Sequence, residues 1–317
     1  MDKSPAAAKQ GKTHQDELIA DAETAWVKPP VDEAAAVSHG AVTVGGQRIA
    51  YTATAGTLTI RDNDGKPTAS VFYTAYTRDG APNGSRPVTF FYNGGPGSAT
   101  VWLHMGSFAP VRVTTANPEY IRPAPYGFGP NSQSLIDKTD LVFVDAIGAG
   151  WSRPLGAKTG KDFWGVDQDA DAFARAVERY VTKNGRWSSP KFLFGESYGT
   201  LRNGAVAALL EERGLSLNGI VYLSSILNYG VRQPGYDQNY MVLLPSYAAT
   251  AWYHNRLQNR PADRQPLVAH QLGLKMTEID AEIGAHDIIG ADPDIARHLL
   301  RDRALLFGAD RRSLGKR

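Results

Sequence analysis

The sequence predicts an α/β fold on a mostly parallel sheet, and three observations lead there. Short apolar runs without clean alternation, Pro87-Tyr92, Leu141-Asp145, Lys191-Gly195 and Gly219-Ser224, have the texture of strands covered on both faces. Segments of helical period lie between them. The run Phe192-Leu193-Phe194 passes through a glycine-flanked turn straight into a helix-forming stretch, Leu201 to Arg213. Strand, helix, strand, helix, strand in this order argues for parallel pairing with right-handed crossovers.

From the N-terminus, residues 1–38 are rich in Ala, Lys, Asp, Glu and Pro with little periodicity and are expected to form a mobile polar leader, with order beginning near Ala41. Residues 39–317 are expected to form one domain. Its β-branched and aromatic runs Ala41-Val44, Arg48-Ala53, Thr57-Arg61 and Ala69-Thr77 are separated by Gly45-Gly46, Gly56 and Asp62-Asn63-Asp64-Gly65. That punctuation predicts antiparallel strands at one side of the sheet. From Val166 to Val181, residues Val166, Ala170, Phe173, Val177, Tyr180 and Val181 recur at spacings of three and four, with Asp167, Asp169, Asp171, Arg175 and Glu178 on the other face. The stretch 229–317 reads as mainly helical, through Tyr240-Leu257 and again from Asp292, an N-cap before Pro293, to Leu306.

Composition narrows the function classes. At 317 residues and 42% hydrophobic content the chain has enough apolar material for a large core. Its 34 basic and 32 acidic residues are dispersed, so no basic stripe suits a nucleic-acid backbone. The terminal group Arg297, Arg301, Arg303, Arg311, Arg312, Lys316 and Arg317 reads more simply as a solvated helix face and chain end. No cysteine is present, which removes disulfides and thiolate metal sites, and the seven histidines form no helical metal-binding pair. Neither a metal nor a cofactor is expected. Met1 to Thr24 has no apolar core of a signal peptide, and no segment approaches the roughly 20 apolar residues of a membrane span. The chain as written is therefore expected to be cytoplasmic.

The chemistry concentrates at Gly195-Glu196-Ser197-Tyr198-Gly199, a G-x-S-x-G pattern between strand and helix. Flanking glycines are needed there because a sharp strand-to-helix turn leaves no room for side chains and lifts the serine hydroxyl clear of the sheet. A serine nucleophile also requires preorganised backbone donors for the oxyanion. Asn93-Gly94-Gly95-Pro96-Gly97, directly after the strand Val88-Tyr92, is the candidate, although alone it also reads as a tight loop. Asp145 reads as a strand-end aspartate capping the next turn.

Asn93-Gly94-Gly95-Pro96-Gly97-Ser98, Val144-Asp145-Ala146-Ile147-Gly148-Ala149-Gly150-Trp151-Ser152 and Gly195-Glu196-Ser197-Tyr198-Gly199 stand in the order and spacing of the serine carboxypeptidases. From about residue 40 onward the chain resembles a bacterial member of that α/β-hydrolase family. The resemblance implies Ser197 as nucleophile, with the backbone N–H groups of Gly95 and Tyr198 as oxyanion hole. It also implies a subsite for the substrate's terminal carboxylate at Asn93, Gly94 and Glu196, with Glu196 acting as a carboxylic acid. Ser107 stands where the family has a second acidic residue in that subsite, and Ser98 replaces a family cysteine. The implied reaction is release of a C-terminal residue from a peptide through an acyl-enzyme, and the family suggests an exported protein. An esterase or acyltransferase on the same scaffold, or an inactive peptide-binding fragment, are the alternatives.

Serine attack needs a histidine base and an acid to orient it, and in this fold class they follow the serine in sequence. Only His254, His270, His286 and His298 lie downstream, none in the glycine-flanked loop after a late strand where the resemblance implies the histidine. His254 reads as a helix residue of the insertion that the family carries over its active site, and His298 as helix surface. The expectation is thus a C-terminally truncated scaffold without its triad aspartate and histidine. Such a sheet is expected to end in an unpaired apolar edge, and a complementing C-terminal chain is a possible partner.

Overall fold

The computed structural model describes residues 29–82, 84–114, 124–232, 238–257 and 260–267. They divide between two compact units, one reaching to Leu227 and the other beginning at Asn228.

The first unit is a mixed eight-stranded sheet flanked by helices. Strands β1 (Ala35–Val44), β2 (Gln47–Arg61) and β3 (Pro67–Arg78) form an antiparallel meander. They continue into β4 (Val88–Tyr92), β7 (Asp140–Val144), β9 (Lys191–Glu196) and β10 (Gly219–Leu223) in the spatial order β1-β2-β3-β7-β4-β9-β10. The pairs β7/β4, β4/β9 and β9/β10 are parallel, and β3/β7 is antiparallel. A short strand β8 (Arg153–Pro154) pairs with β3, while β5 (Val111–Val113) and β6 (Phe128–Pro130) make a separate antiparallel pair.

Helix α1 (Val166–Lys183) buries Ala170, Phe173, Val177, Tyr180 and Val181, the face its periodicity predicts. With helix α2 (Tyr198–Glu212) it covers the sheet face carrying Tyr73, Phe90 and Tyr92. Tyr180 meets Tyr73 and Phe90 edge-on at 5.3 and 5.5 Å. On the opposite face Phe91 lies between Phe143 and Phe194, each at 4.9 Å, under the helical turns Val101–Leu103 and His104–Phe108.

Two findings differ from the sequence reading. Gly56 does not end a strand: β2 runs through it, because a Cβ there would stand 2.9 Å from Ala34 O and 3.1 Å from the Tyr73 hydroxyl. Glycine serves close approach at this point, whereas Gly45 and Gly46 do form a turn, with φ of 55° and 80°. Order also begins before Ala41, since β1 starts at Ala35 inside the segment expected to be leader. The reason lies in Glu33, which accepts from Arg179 at 2.8 and 3.0 Å, from Lys183 at 2.9 Å and from Thr59 N at 2.9 Å. Those bonds fasten the entering chain across β2 to α1. Residues 1–28 lie outside the described residues.

At the N-terminal ends of the parallel strands Asp140 accepts from Arg86 and Arg186, each at 2.6 Å, and from Arg78 N at 3.0 Å. Arg186 is fully buried and donates onward to Arg86 O and to the Ser189 hydroxyl. The far edge of the sheet is β10, paired with β9 alone among the described residues. Its Val221, Tyr222 and Leu223 are 42%, 44% and 39% exposed among the described residues.

In the second unit a 3-10 turn at Tyr229–Arg232 precedes helix α3 (Gln238–Tyr253), close to the predicted 240–257. Trp252 donates to Pro261 O at 2.7 Å, and the Arg260 guanidinium stacks 4.1 Å above its ring. The helix expected at 292–306 lies outside the described residues. No helix among the described residues is long and apolar enough to cross a membrane.

Burial opposes ionisation of Glu33, yet the bonds from Arg179, Lys183 and Thr59 outweigh it and bring its carboxyl down to about 2 from 4.5. A carboxyl depressed on folding stabilises fully above its unfolded value and loses that contribution as the pH falls through its folded one. Urea midpoints of the wild type are therefore expected to drop between about pH 4.5 and about pH 2, and Glu33→Gln is expected to flatten that drop. Identical pH profiles for the two proteins would rule the tether out as its source.

Candidate active site

The site lies at the C-terminal ends of β4, β7 and β9, where the parallel strands deliver their following loops. Ser197 joins β9 to α2 with φ 58° and ψ −123°, a strained conformation for a residue with a side chain. Its N–H donates to Leu223 O of β10 at 2.9 Å, and its carbonyl accepts from Thr200 N at 2.9 Å and the Thr200 hydroxyl at 2.6 Å. Thr200 also accepts from Ile226 N at 2.9 Å, which ties the chain after β10 to the same turn.

The glycines of the motif are required by contact. A Cβ on Gly195 would collide with Gly199 O and stand 2.7 Å from Asn203 Nδ2, and one on Gly199 would lie 2.9 Å from Tyr92 O. One on Gly94 would fall inside the van der Waals shell of Tyr198 N and 2.7 Å from Glu196 O. The loop after β4 is therefore pressed against the elbow with no side chain between them. Gly95 follows at φ 109°, and its N–H makes no hydrogen bond among the described residues.

Asn93 locks the two segments together. Its side chain donates to Glu196 Oε2 at 3.0 Å and accepts from Leu103 N at 3.1 Å, while its main-chain carbonyl accepts from Arg202 Nη1 at 2.9 Å. Asp145 braces the neighbouring loops by accepting from Thr100 N at 2.8 Å and Trp151 N at 3.2 Å. Burial pushes the Asp145 carboxyl up, although these two N–H bonds counteract it. It does cap the turn that follows it, and it also holds the β4 loop.

The structure thus brings together Asn93, Gly94, Gly95, Glu196, Ser197 and Tyr198. Among the described residues of this first unit it brings no histidine to Ser197, and the serine hydroxyl makes no hydrogen bond among them. In this unit His39 bonds the Thr52 hydroxyl at 3.0 Å and His104 the Tyr76 hydroxyl at 2.8 Å. Burial holds His104 down to about 4 and pushes Tyr76 up to about 12, so the pair is a neutral core contact at pH 7. His254 belongs to the second unit, and His270, His286 and His298 lie outside the described residues. Ser107 donates to Trp102 O at 3.1 Å within its own helical turn. No cluster of three or more potential metal ligands occurs among the described residues. A recess of about 590 Å³ between Val31, Glu33, Arg61 and Arg179 shares no residue with the elbow.

Comparison with known families decides the kinship: the serine carboxypeptidase profile matches residues 46–258. The chain belongs to the serine carboxypeptidase family. Comparison with curated proteins returns no match. Among solved structures, a prohormone-processing carboxypeptidase from Saccharomyces cerevisiae is 18% identical with TM-score 0.49, covering 81% of this chain and 53% of its own. The chain therefore spans about half the length of that carboxypeptidase. A proline iminopeptidase from Mycobacterium smegmatis is 15% identical with TM-score 0.31, covering 79% of this chain and 68% of its own. The strand-elbow-helix unit on the parallel part of a mixed sheet is that of an α/β-hydrolase.

Sequence reasoning missed Arg202 and Asp169. Arg202 sits in the buried stripe Tyr198, Arg202, Val206 and Leu210 of α2, and a charge in such a stripe signals a buried partner. Asp169 was assigned to the solvent face of α1, yet it accepts from Arg202 at 2.7 and 3.2 Å.

The two glycine environments generate a paired expectation. Gly204 lies in α2 with open space around its Cα, so Gly204→Ala is expected to stabilise the unit by about 0.5–1 kcal/mol. Gly94→Ala is expected to destabilise it by about 1–3 kcal/mol, the cost of overpacking. Urea titration of both variants is the check, and equal effects would dismiss the close approach at Gly94.

Proposed function

We propose that the chain is a serine-type carboxypeptidase whose nucleophile is Ser197. Ser197 Oγ attacks the carbonyl carbon of a peptide's last amide bond, and its proton passes to a base and then to the departing amine. The acyl-enzyme forms as the C–N bond breaks, and water later returns the serine and the shortened peptide. Gly95 and Tyr198 N–H groups receive the oxyanion. Asn93, Gly94 and Glu196 hold the substrate's terminal carboxylate, which sets the reaction at the chain end. The base is a histidine that the described residues of the first unit do not supply.

The observation that carries this reading is the strained Ser197 turn with the Gly94-Gly95 loop pressed against it, supported by family membership. Positive φ at a serine costs about 1–3 kcal/mol, which the Gly195, Gly199 and Thr200 contacts over-determine. That cost positions a hydroxyl at the head of a helix. It contributes nothing to packing.

A fluorophosphonate probe tests it, read by intact mass with Ser197→Ala as control. Labelling of the wild type that the control abolishes is the expected result, and none on a folded sample would refute a competent nucleophile. Peptides with a free terminal carboxylate are then expected to be cleaved in preference to blocked ones, with Asn93→Ala erasing the preference. Equal turnover of blocked esters by the wild type would move the assignment to an esterase or acyltransferase.

A further inference from the structure

We infer that Arg202 is the positioning residue that holds the oxyanion-binding loop in register with the nucleophile elbow, with Asp169 as its anchor. This deepens the reading above and rests on Ser197 being the nucleophile.

Arg202 is 1% exposed and its guanidinium has a different partner on each side. Nε and Nη2 grip the Asp169 carboxylate of α1 at 2.7 and 3.2 Å, which neutralises a charge that burial would otherwise expel. Nη1 reaches past α2 to Asn93 O at 2.9 Å. Its plane lies 4.2 Å from the Phe173 ring centroid, with Tyr92 at 5.3 Å and Tyr198 at 5.2 Å. Besides Asp169 and Phe173 of α1, it thus touches the last residue of β4, the first residue of the glycine loop and the residue after Ser197.

The chemistry follows from peptide planarity. Fixing Asn93 O fixes the whole Asn93–Gly94 peptide plane, because rotation about the C–N bond is blocked. Gly94 has no side chain to resist a swing of that plane, and Gly95 sits at φ 109° where glycine alone is unrestrained. A loop so permissive needs an outside group to select one conformation. The Asn93 side chain supplies part of it through Glu196 and Leu103 N. Arg202 supplies the main-chain part, and by lying against the Tyr198 ring it refers the loop to the second oxyanion donor. Lysine does not substitute, since a single ammonium lacks the planar fork that spans carboxylate and carbonyl.

A plain clamp between helices is the competing explanation, and the protein carries its own control for it. Arg213 bridges α2 to Asp171 and Glu178 of α1 without reaching the glycine loop. The experiment compares wild type, Arg202→Met, Asp169→Asn and Arg213→Met as full chains, by amide hydrogen exchange and by rate of fluorophosphonate labelling. In Arg202→Met, exchange in peptides covering 93–100 is expected to rise about tenfold or more while β7 and α1 peptides stay at wild-type rates. Labelling is expected to slow about 10²-fold, the usual cost of a small misplacement of reacting groups. Asp169→Asn should move both readouts in the same direction, and Arg213→Met should move neither. Unchanged loop exchange in a folded Arg202→Met, or equal slowing in Arg213→Met, would overturn the inference. Should Arg202→Met not fold, Arg202→Lys decides by the same loop exchange, faster than wild type supporting the inference and equal to it refuting it. Absence of wild-type labelling would count against the Ser197 reading alone, because the exchange comparison still decides the role of Arg202.

Discussion

The contact between Gly94 and the backbone of Glu196 and Tyr198 is the constraint on which the rest of the site depends. Two loops leaving adjacent parallel strands ordinarily diverge by the width of their side chains. Here they touch, because Gly94, Gly195 and Gly199 contribute none. On the proposed reading, touching is also what lets N–H donors from two loops converge on one oxyanion. The glycines carry a conformational entropy cost, and the surrounding hydrogen bonds from Asn93, Thr200 and Arg202 restrict the freedom that glycine introduces.

Buried charge is used at both ends of the parallel strands, and in the same way. Asp140 at the N-terminal ends and Asp169 near the C-terminal ends are each met by arginine, whose fork satisfies several lone pairs at once. Neither pair is argued to raise stability over an apolar replacement, since desolvation offsets most of the Coulomb gain. Their value lies in direction. An arginine paired to an aspartate on one element has remaining donors aimed at fixed carbonyls on another, Arg86 O in one case and Asn93 O in the other. Apolar packing sets distance and supplies most of the burial energy, but it does not orient a peptide plane.

Legibility in the sequence followed the range of each interaction. The parallel strands, α1 and the elbow are local patterns of period and glycine spacing, and they were readable to within a few residues. Gly56 was misread because glycine marks both a turn and a close approach, and the distinction depends on Tyr73 and Ala34, which are distant or unpatterned in sequence. The order of Ala35 to Ser38 was hidden for a similar reason, as it depends on Glu33 meeting Arg179 and Lys183 across the fold. Arg202 was visible as a charge in an apolar stripe, but its target, a main-chain carbonyl, has no sequence signature at all.

The same distinction explains why the Ser197 turn can be read, and built, from nearby residues. Among the described residues, the contacts that shape the Ser197 turn come from residues between Tyr92 and Leu227, within one compact unit. The strain at its φ is balanced by the turn's own glycines and Thr200, the loop opposite is held by Arg202, and both rest on the core formed by Tyr92, Phe173 and Val206. A histidine base has no such local requirement. On the proposed reading it must reach the Ser197 hydroxyl and then the departing amine, a geometry that residues distant in sequence can supply and that the elbow's own sequence does not encode. The Ser197 turn and the Asn93–Gly95 loop are thus assembled within one unit, and on the proposed reading the base acts on a site already in place.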